Sequence, residues 1–186
     1  MSKKNDKILP GPEVFAPIRF LVLDVDGVLT NGSILYTSSG EEVKRFDVKD
    51  GAGLKYWRRA GHDIGIITGR SSPMVLRRAE EFGIELVRMN AKNKLPVFRE
   101  LLEKAGVEPY ETAVVGDDLP DIPLLAAAGL AVAVKDAVQE VRDTATMITK
   151  RKGGRGAVRE VIDTILKAQG KWPEIMERYL NPDASI

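Results

Sequence analysis

The chain reads as an α/β protein on a Rossmann-like, doubly wound parallel sheet. Three features carry this: short apolar runs alternate with amphipathic stretches, Gly or Pro punctuates the joins, and polar residues gather where the apolar runs end. Ile18 to Leu23 is the first predicted strand, and Asp24-Val-Asp-Gly27 follows it directly. Ser33–Thr37 and Glu41–Phe46 flank Ser38-Ser-Gly40, which predicts a β-hairpin over 33–46. Asp50 is expected to cap a helix that runs to Ala60, with Gly61 as its stop. The strand Asp63–Ile67 comes next, then a helix opened by Ser72-Pro73 and closed by Gly83. Ile84–Val87, Thr112–Val115 and Leu130–Val134 read as further strands; Leu95–Ala105, Pro120–Ala128 and Gly156–Ala168 read as helices.

These elements predict an N-terminal extension at 1–17, one domain at 18–169 and a C-terminal tail at 170–186, where Trp172, Tyr179 and two prolines suggest no core element. At 186 residues the chain can bury a core without staples. It has no cysteine, which excludes thiol catalysis, zinc-thiolate sites and disulfides and suits a reducing compartment. No apolar signal segment stands in the first 17 residues, so a cytoplasmic protein is expected. A net charge of +1 gives no general attraction to nucleic acid or membrane. His62, the only histidine, follows a helix and is expected at the surface.

Two carboxylates at the end of a buried strand need a task. Asp24 and Asp26 would repel each other without a cation, and one Mg²⁺, a hard ion that prefers carboxylate and carbonyl oxygens, offsets that repulsion and admits a phosphate. The second strand ends in Thr68-Gly-Arg70, where a hydroxyl and the following backbone N–H groups can hold phosphoryl oxygens. Lys94 stands at a helix start and can neutralise charge on a nucleophile and a transferring phosphoryl group. A later strand ends in Gly116-Asp-Asp-Leu-Pro-Asp121, whose carboxylates can complete a metal's ligands or orient them.

Taken in order, these segments resemble the haloacid dehalogenase superfamily of phosphohydrolases over residues 18 to 168. The resemblance implies that Asp24 is the nucleophile, Asp26 the general acid and base, Thr68 and Lys94 phosphate ligands, and Asp117 the side-chain metal ligand. Mg²⁺ would also be held by Asp24 and by the carbonyl of Asp26, with Asp118 and Asp121 supporting from behind. A phosphorylated receiver domain uses similar groups, but its acid pair precedes the phosphorylated Asp, whereas both leading acids lie here on the first strand.

The gaps between motifs leave room for the hairpin alone and for no cap domain. Asp24–Gly32, Phe46–Gly51, Ile66–Arg70, Gly116–Asp121 and Lys152–Glu160 resemble the capless 3-deoxy-D-manno-octulosonate 8-phosphate phosphatases, which implies a sugar-acid phosphate substrate and a homotetramer built around such hairpins. Gly69, through its backbone N–H, and Arg70 and Arg155 are the substrate-binding candidates, the two arginines because guanidinium groups recognise carboxylates by paired hydrogen bonds. Related nonulosonate 9-phosphate phosphatases, the alternative, tend to carry Glu at the two Arg positions. The chain departs from the family at Met89-Asn-Ala-Lys-Asn-Lys94, where Gln-Gly-x-x-Asp-Lys is usual.

Overall fold

A computed structural model of the chain describes residues 10–181. In chain order its elements are α1 (Pro12–Phe15), β1 (Phe20–Leu23), β2 (Leu35–Tyr36), β3 (Glu42–Val43), α2 (Val48–Arg59), β4 (Asp63–Ile67), α3 (Pro73–Glu80) and β5 (Leu86–Arg88). They continue with α4 (Lys94–Ala105), β6 (Thr112–Gly116), α5 (Ile122–Ala127), β7 (Leu130–Ala133), α6 (Gln139–Thr144), β8 (Met147–Ile148), α7 (Ala157–Ala168) and α8 (Trp172–Leu180). Six strands form a parallel sheet in the order β5-β4-β1-β6-β7-β8, and β2 pairs with β3 as a separate antiparallel hairpin.

Every residue of β1 is buried, as a strand covered by helices on both faces must be. α2 packs on α7, while α4, α5 and α6 pack in series. Phe20, Leu21, Trp57, Phe98 and Leu101 are among the largest fully buried side chains. Leu23 stands opposite Ile66 on one side and Val115 on the other, so the residues that follow these three strands emerge together. The strand order reverses at β1, which opens the crevice in which such sheets hold ligands.

Several local expectations are corrected. Asp47, not Asp50, caps α2 by accepting the Lys49 N–H at 2.7 Å. Asp50 is buried within α2 and accepts from the backbone N–H of Gly156 at 3.1 Å and of Arg159 at 2.8 Å, so it caps the start of α7 instead. Those orphan N–H groups need an acceptor, and one reaches them from another helix. Burial pushes the Asp50 carboxyl up to about 6, against the lowering effect of those N–H groups. His62 is buried against Trp57, with ring centroids 4.5 Å apart, and its Nε2 lies 2.9 Å from Gln169 Oε1. The tail reading also changes. Residues 172–180 form α8, whose Ile175 is buried and whose Pro173 sits in the first turn, where it lacks nothing a helix needs. Residues 1–9 of the expected extension and 182–186 of the tail lie outside the described residues.

Candidate active site

The loop after β1 is shaped by two glycines. Asp24 is tied to the sheet by its N–H, which donates to Val115 O at 3.2 Å. Gly27 then turns with φ 101°, and a Cβ there would fall 1.9 Å from Asp117 Oδ2. Only glycine permits both the left-handed turn and the approach of Asp117. On the far side a Cβ at Gly153 would lie 1.6 Å from Gly27 O, and Gly154 N–H donates to Val28 O at 2.8 Å. The segment before α7 therefore props the loop from behind.

The loops enclose a cavity of about 410 Å³ whose lining includes Asp24, Asp26, Thr68, Lys94, Asp117 and Asp121. At its floor the buried Lys94 ammonium donates to Asp24 at 2.6 Å and to Asp121 at 2.7 Å. Asp121 also accepts the Asp117 N–H at 3.0 Å and the Asp118 N–H at 3.4 Å, so one carboxylate fixes the lysine and the turn together. Burial pushes the Asp24 carboxyl up to about 6; Lys94 opposes this and Asp121 adds to it. Burial works to lower the Lys94 ammonium, but Asp24 and Asp121 outweigh it and the net direction is up. The ammonium therefore stays charged at neutral pH.

Asp26 is held from the hairpin. Lys44, just beyond β3, has its buried ammonium on Asp26 Oδ1 and lies 3.7 Å from Glu42. Arg70 donates to Glu42 at 2.8 Å, and its Nε stands 3.7 Å from Asp26 Oδ2. That Oδ2 is buried without a hydrogen-bond partner among the described residues.

Of the residues singled out from sequence, Asp24, Asp26, Thr68, Gly69, Arg70, Lys94, Asp117, Asp118 and Asp121 line this one cavity. Arg155 is exposed and does not line it. The loop of Arg155 packs against the Gly27 turn through Gly153 and Gly154. Lys44 escaped the sequence reading because a lysine just beyond a two-residue strand carries no local signal. The missing acidic neighbour at position 93 also has a resolution: Lys94 takes its carboxylates from the residue after β1 and from the turn after β6.

Asp24, Asp117 and Asp121 offer carboxylate oxygens within 4.8 Å of one another. Burial, with the charges of Asp24 and Asp121, pushes Asp117 up to about 8. Three close carboxylates, one of them forced to hold a proton at neutral pH, suit a hard divalent cation that takes oxygen ligands. Mg²⁺ has to displace that proton, so its affinity is expected to rise with pH up to about 8 and level off above it. The metal-free chain should lose stability over the same rise, because the folded state holds the Asp117 proton more tightly than the unfolded chain does. Calorimetric titration of Mg²⁺ at several pH values, in buffers of different ionisation heat, checks this; an affinity flat from pH 6 to pH 8, with no proton released, would refute it.

The parallel sheet and the carboxylates at its central strand end define a hydrolase of the haloacid dehalogenase-like class, and the model of that family matches residues 45–129. The chain is 46% identical over 157 residues to the 3-deoxy-D-manno-octulosonate 8-phosphate phosphatase KdsC of Escherichia coli, covering 84% of each. The crystal structure of the 3-deoxy-D-manno-octulosonate 8-phosphate phosphatase of Moraxella catarrhalis, in complex with a magnesium ion, a phosphate ion and KDO, is 40% identical. It superposes with a TM-score of 0.88 over 90% of this chain and 97% of that one. The cobalt-bound phosphatase of Haemophilus influenzae is 38% identical, with a TM-score of 0.86 over 90% and 99%. This chain belongs to the 3-deoxy-D-manno-octulosonate 8-phosphate phosphatase family.

Proposed function

We propose that the chain hydrolyses 3-deoxy-D-manno-octulosonate 8-phosphate, with Asp24 as nucleophile and Asp26 as general acid and base. The observation that carries this is the buried Lys94 ammonium joined to Asp24 and Asp121, in a cavity that also opens on Asp26, Thr68 and Asp117. The Asp24 carboxylate attacks phosphorus and the bond to the sugar oxygen breaks, while Asp26 gives its proton to that oxygen. Water then attacks the aspartyl phosphate, loses a proton to Asp26 and releases phosphate, which regenerates Asp24. Thr68 Oγ1 and the N–H groups of Gly69 and Arg70 suit the phosphoryl oxygens, and Lys94 screens the charge that builds on them. Asp24, the Asp26 carbonyl and Asp117 would hold Mg²⁺, which when bound would supply the charge that lets two anions approach. Asp121 and Asp118 hold this arrangement from behind.

Purified protein with Mg²⁺ should release phosphate from 3-deoxy-D-manno-octulosonate 8-phosphate with a kcat/KM about 100-fold or more above that for sialic acid 9-phosphate or hexose phosphates. Equal values across the panel would reject the substrate.

The open cavity and the hairpin's exposed Ile34, Leu35, Tyr36 and Val43 support a homotetramer in which neighbouring hairpins cover one another. Sedimentation of active enzyme should give four chains, and an active monomer would refute this. Among the described residues no helix is long and apolar enough to cross a membrane, and a cysteine-free chain that acts on a sugar phosphate suits the cytoplasm.

A further inference from the structure

A sugar-acid phosphate carries two anionic groups, and the cavity has few cations to spare for the second. Lys94 is taken by Asp24 and Asp121. Arg70 is held by Glu42 and stands beside Asp26. Lys92 differs from both. It lines the cavity next to Ala91, is exposed, and its ammonium has no carboxylate or hydrogen-bond partner among the described residues. The turn that carries it is fixed all the same. Asn90 has φ 56°, the one positive value at a non-glycine among the described residues, a conformation that Asn tolerates and that persists where the surroundings fix it. Three backbone bonds do so: Asn90 N–H to Arg70 O at 3.5 Å, Ala91 N–H to Thr68 O at 3.0 Å, and Lys92 N–H to Asn90 O at 3.0 Å. The turn is thus tied to Thr68 and Arg70, and it brings an unpaired ammonium to the wall of a cavity whose floor is acidic.

We infer that Lys92 binds the substrate's carboxylate and so selects sugar-acid phosphates over neutral sugar phosphates. This rests on the phosphatase reading above and adds a residue to it. An ammonium is a point charge that needs no fixed fork geometry, so a lysine on a fixed turn can meet a carboxylate at the far end of a flexible sugar. Were it a phosphate ligand instead, its loss would weaken every phosphate ester alike.

The experiment compares kcat and KM of wild type, Lys92→Ala and Lys92→Arg on two esters: 3-deoxy-D-manno-octulosonate 8-phosphate, and arabinose 5-phosphate, which has a similar phosphate end and no carboxylate. For Lys92→Ala the ratio of kcat/KM between the two esters should fall about 10- to 100-fold, carried by KM of the sugar acid. Lys92→Arg should recover most of the ratio. In a second measurement, wild type should bind the free sugar acid about 10-fold or more tighter than Lys92→Ala does. An unchanged ratio, or equal losses on both esters, overturns the role of Lys92 and leaves the phosphatase reading intact. A wild type that hydrolyses neither ester overturns both.

Discussion

Asp24→Asn is expected to lower phosphate release by about 10⁴-fold or more while the protein stays folded. The amide keeps the shape of the side chain and an oxygen for Lys94, but it cannot attack phosphorus. Folding should not suffer, for a reason visible in the native site. Burial pushes Asp24 up to about 6, which means that its charge opposes folding at neutral pH, even with Lys94 beside it. A group raised in this way contributes stability below its unfolded value near 4 and loses it as the pH climbs through 6. The variant should therefore match or exceed wild type in denaturant at pH 7, and its stability should vary less between pH 4 and pH 6. Phosphate release in Mg²⁺ buffer and urea unfolding check the two halves. Wild-type turnover in the variant would remove Asp24 from the chemistry.

Lys94→Met should do the opposite to stability and still damage turnover. The methionine fills a similar volume but leaves Asp24 and Asp121 buried together without their shared ammonium. Breaking a buried ion pair by removing one partner costs about 3–5 kcal/mol. Loss of a preorganised charge at the reacting group costs about 10²- to 10³-fold in kcat. The pH dependence separates these causes. Lys94 holds Asp24 down, so its removal pushes Asp24 further up, and the deficit in stability should be largest above pH 6 and shrink as the carboxyls take up protons toward pH 4. Unfolding curves across that range test this. A deficit of equal size at every pH would mean that lost packing, and not unpaired charge, sets the cost.

How far the sequence discloses the protein depends on the range over which each signal acts. Apart from β8, which no predicted strand covers, the strands and the ends of β1, β4 and β6 are legible because an apolar run and the polar residue after it lie next to each other in the chain. The partners are another matter. Asp50 looks like a cap for the helix that contains it, yet its ligands come from Gly156 and Arg159. His62 looks exposed because it follows a helix and a glycine; Trp57 and Gln169 close over it only once α2 and α7 are side by side. α8 is hidden by the proline in its first turn, though Tyr56 receives Trp172 and Tyr179 edge-on, with centroids 6.2 Å and 6.0 Å away. The carboxylate cluster was readable from motifs in order, whereas Lys44 was not, because nothing near it in sequence tells which acid it will meet.

The ammonium that reaches Asp26 from the hairpin has a mechanical corollary. β2 and β3 make no ladder with the main sheet, so Lys44 and the Glu42–Arg70 pair are ionic tethers between the two bodies. Whatever presses on the outer side of that ribbon bears on the Asp26 carboxylate through a lever a few residues long. In the proposed tetramer, assembly and the placement of that carboxylate would then be coupled: whatever one contributes to the other is returned in equal measure. Quaternary contacts would in that case be felt in the chemistry with no side chain crossing from one subunit to the next.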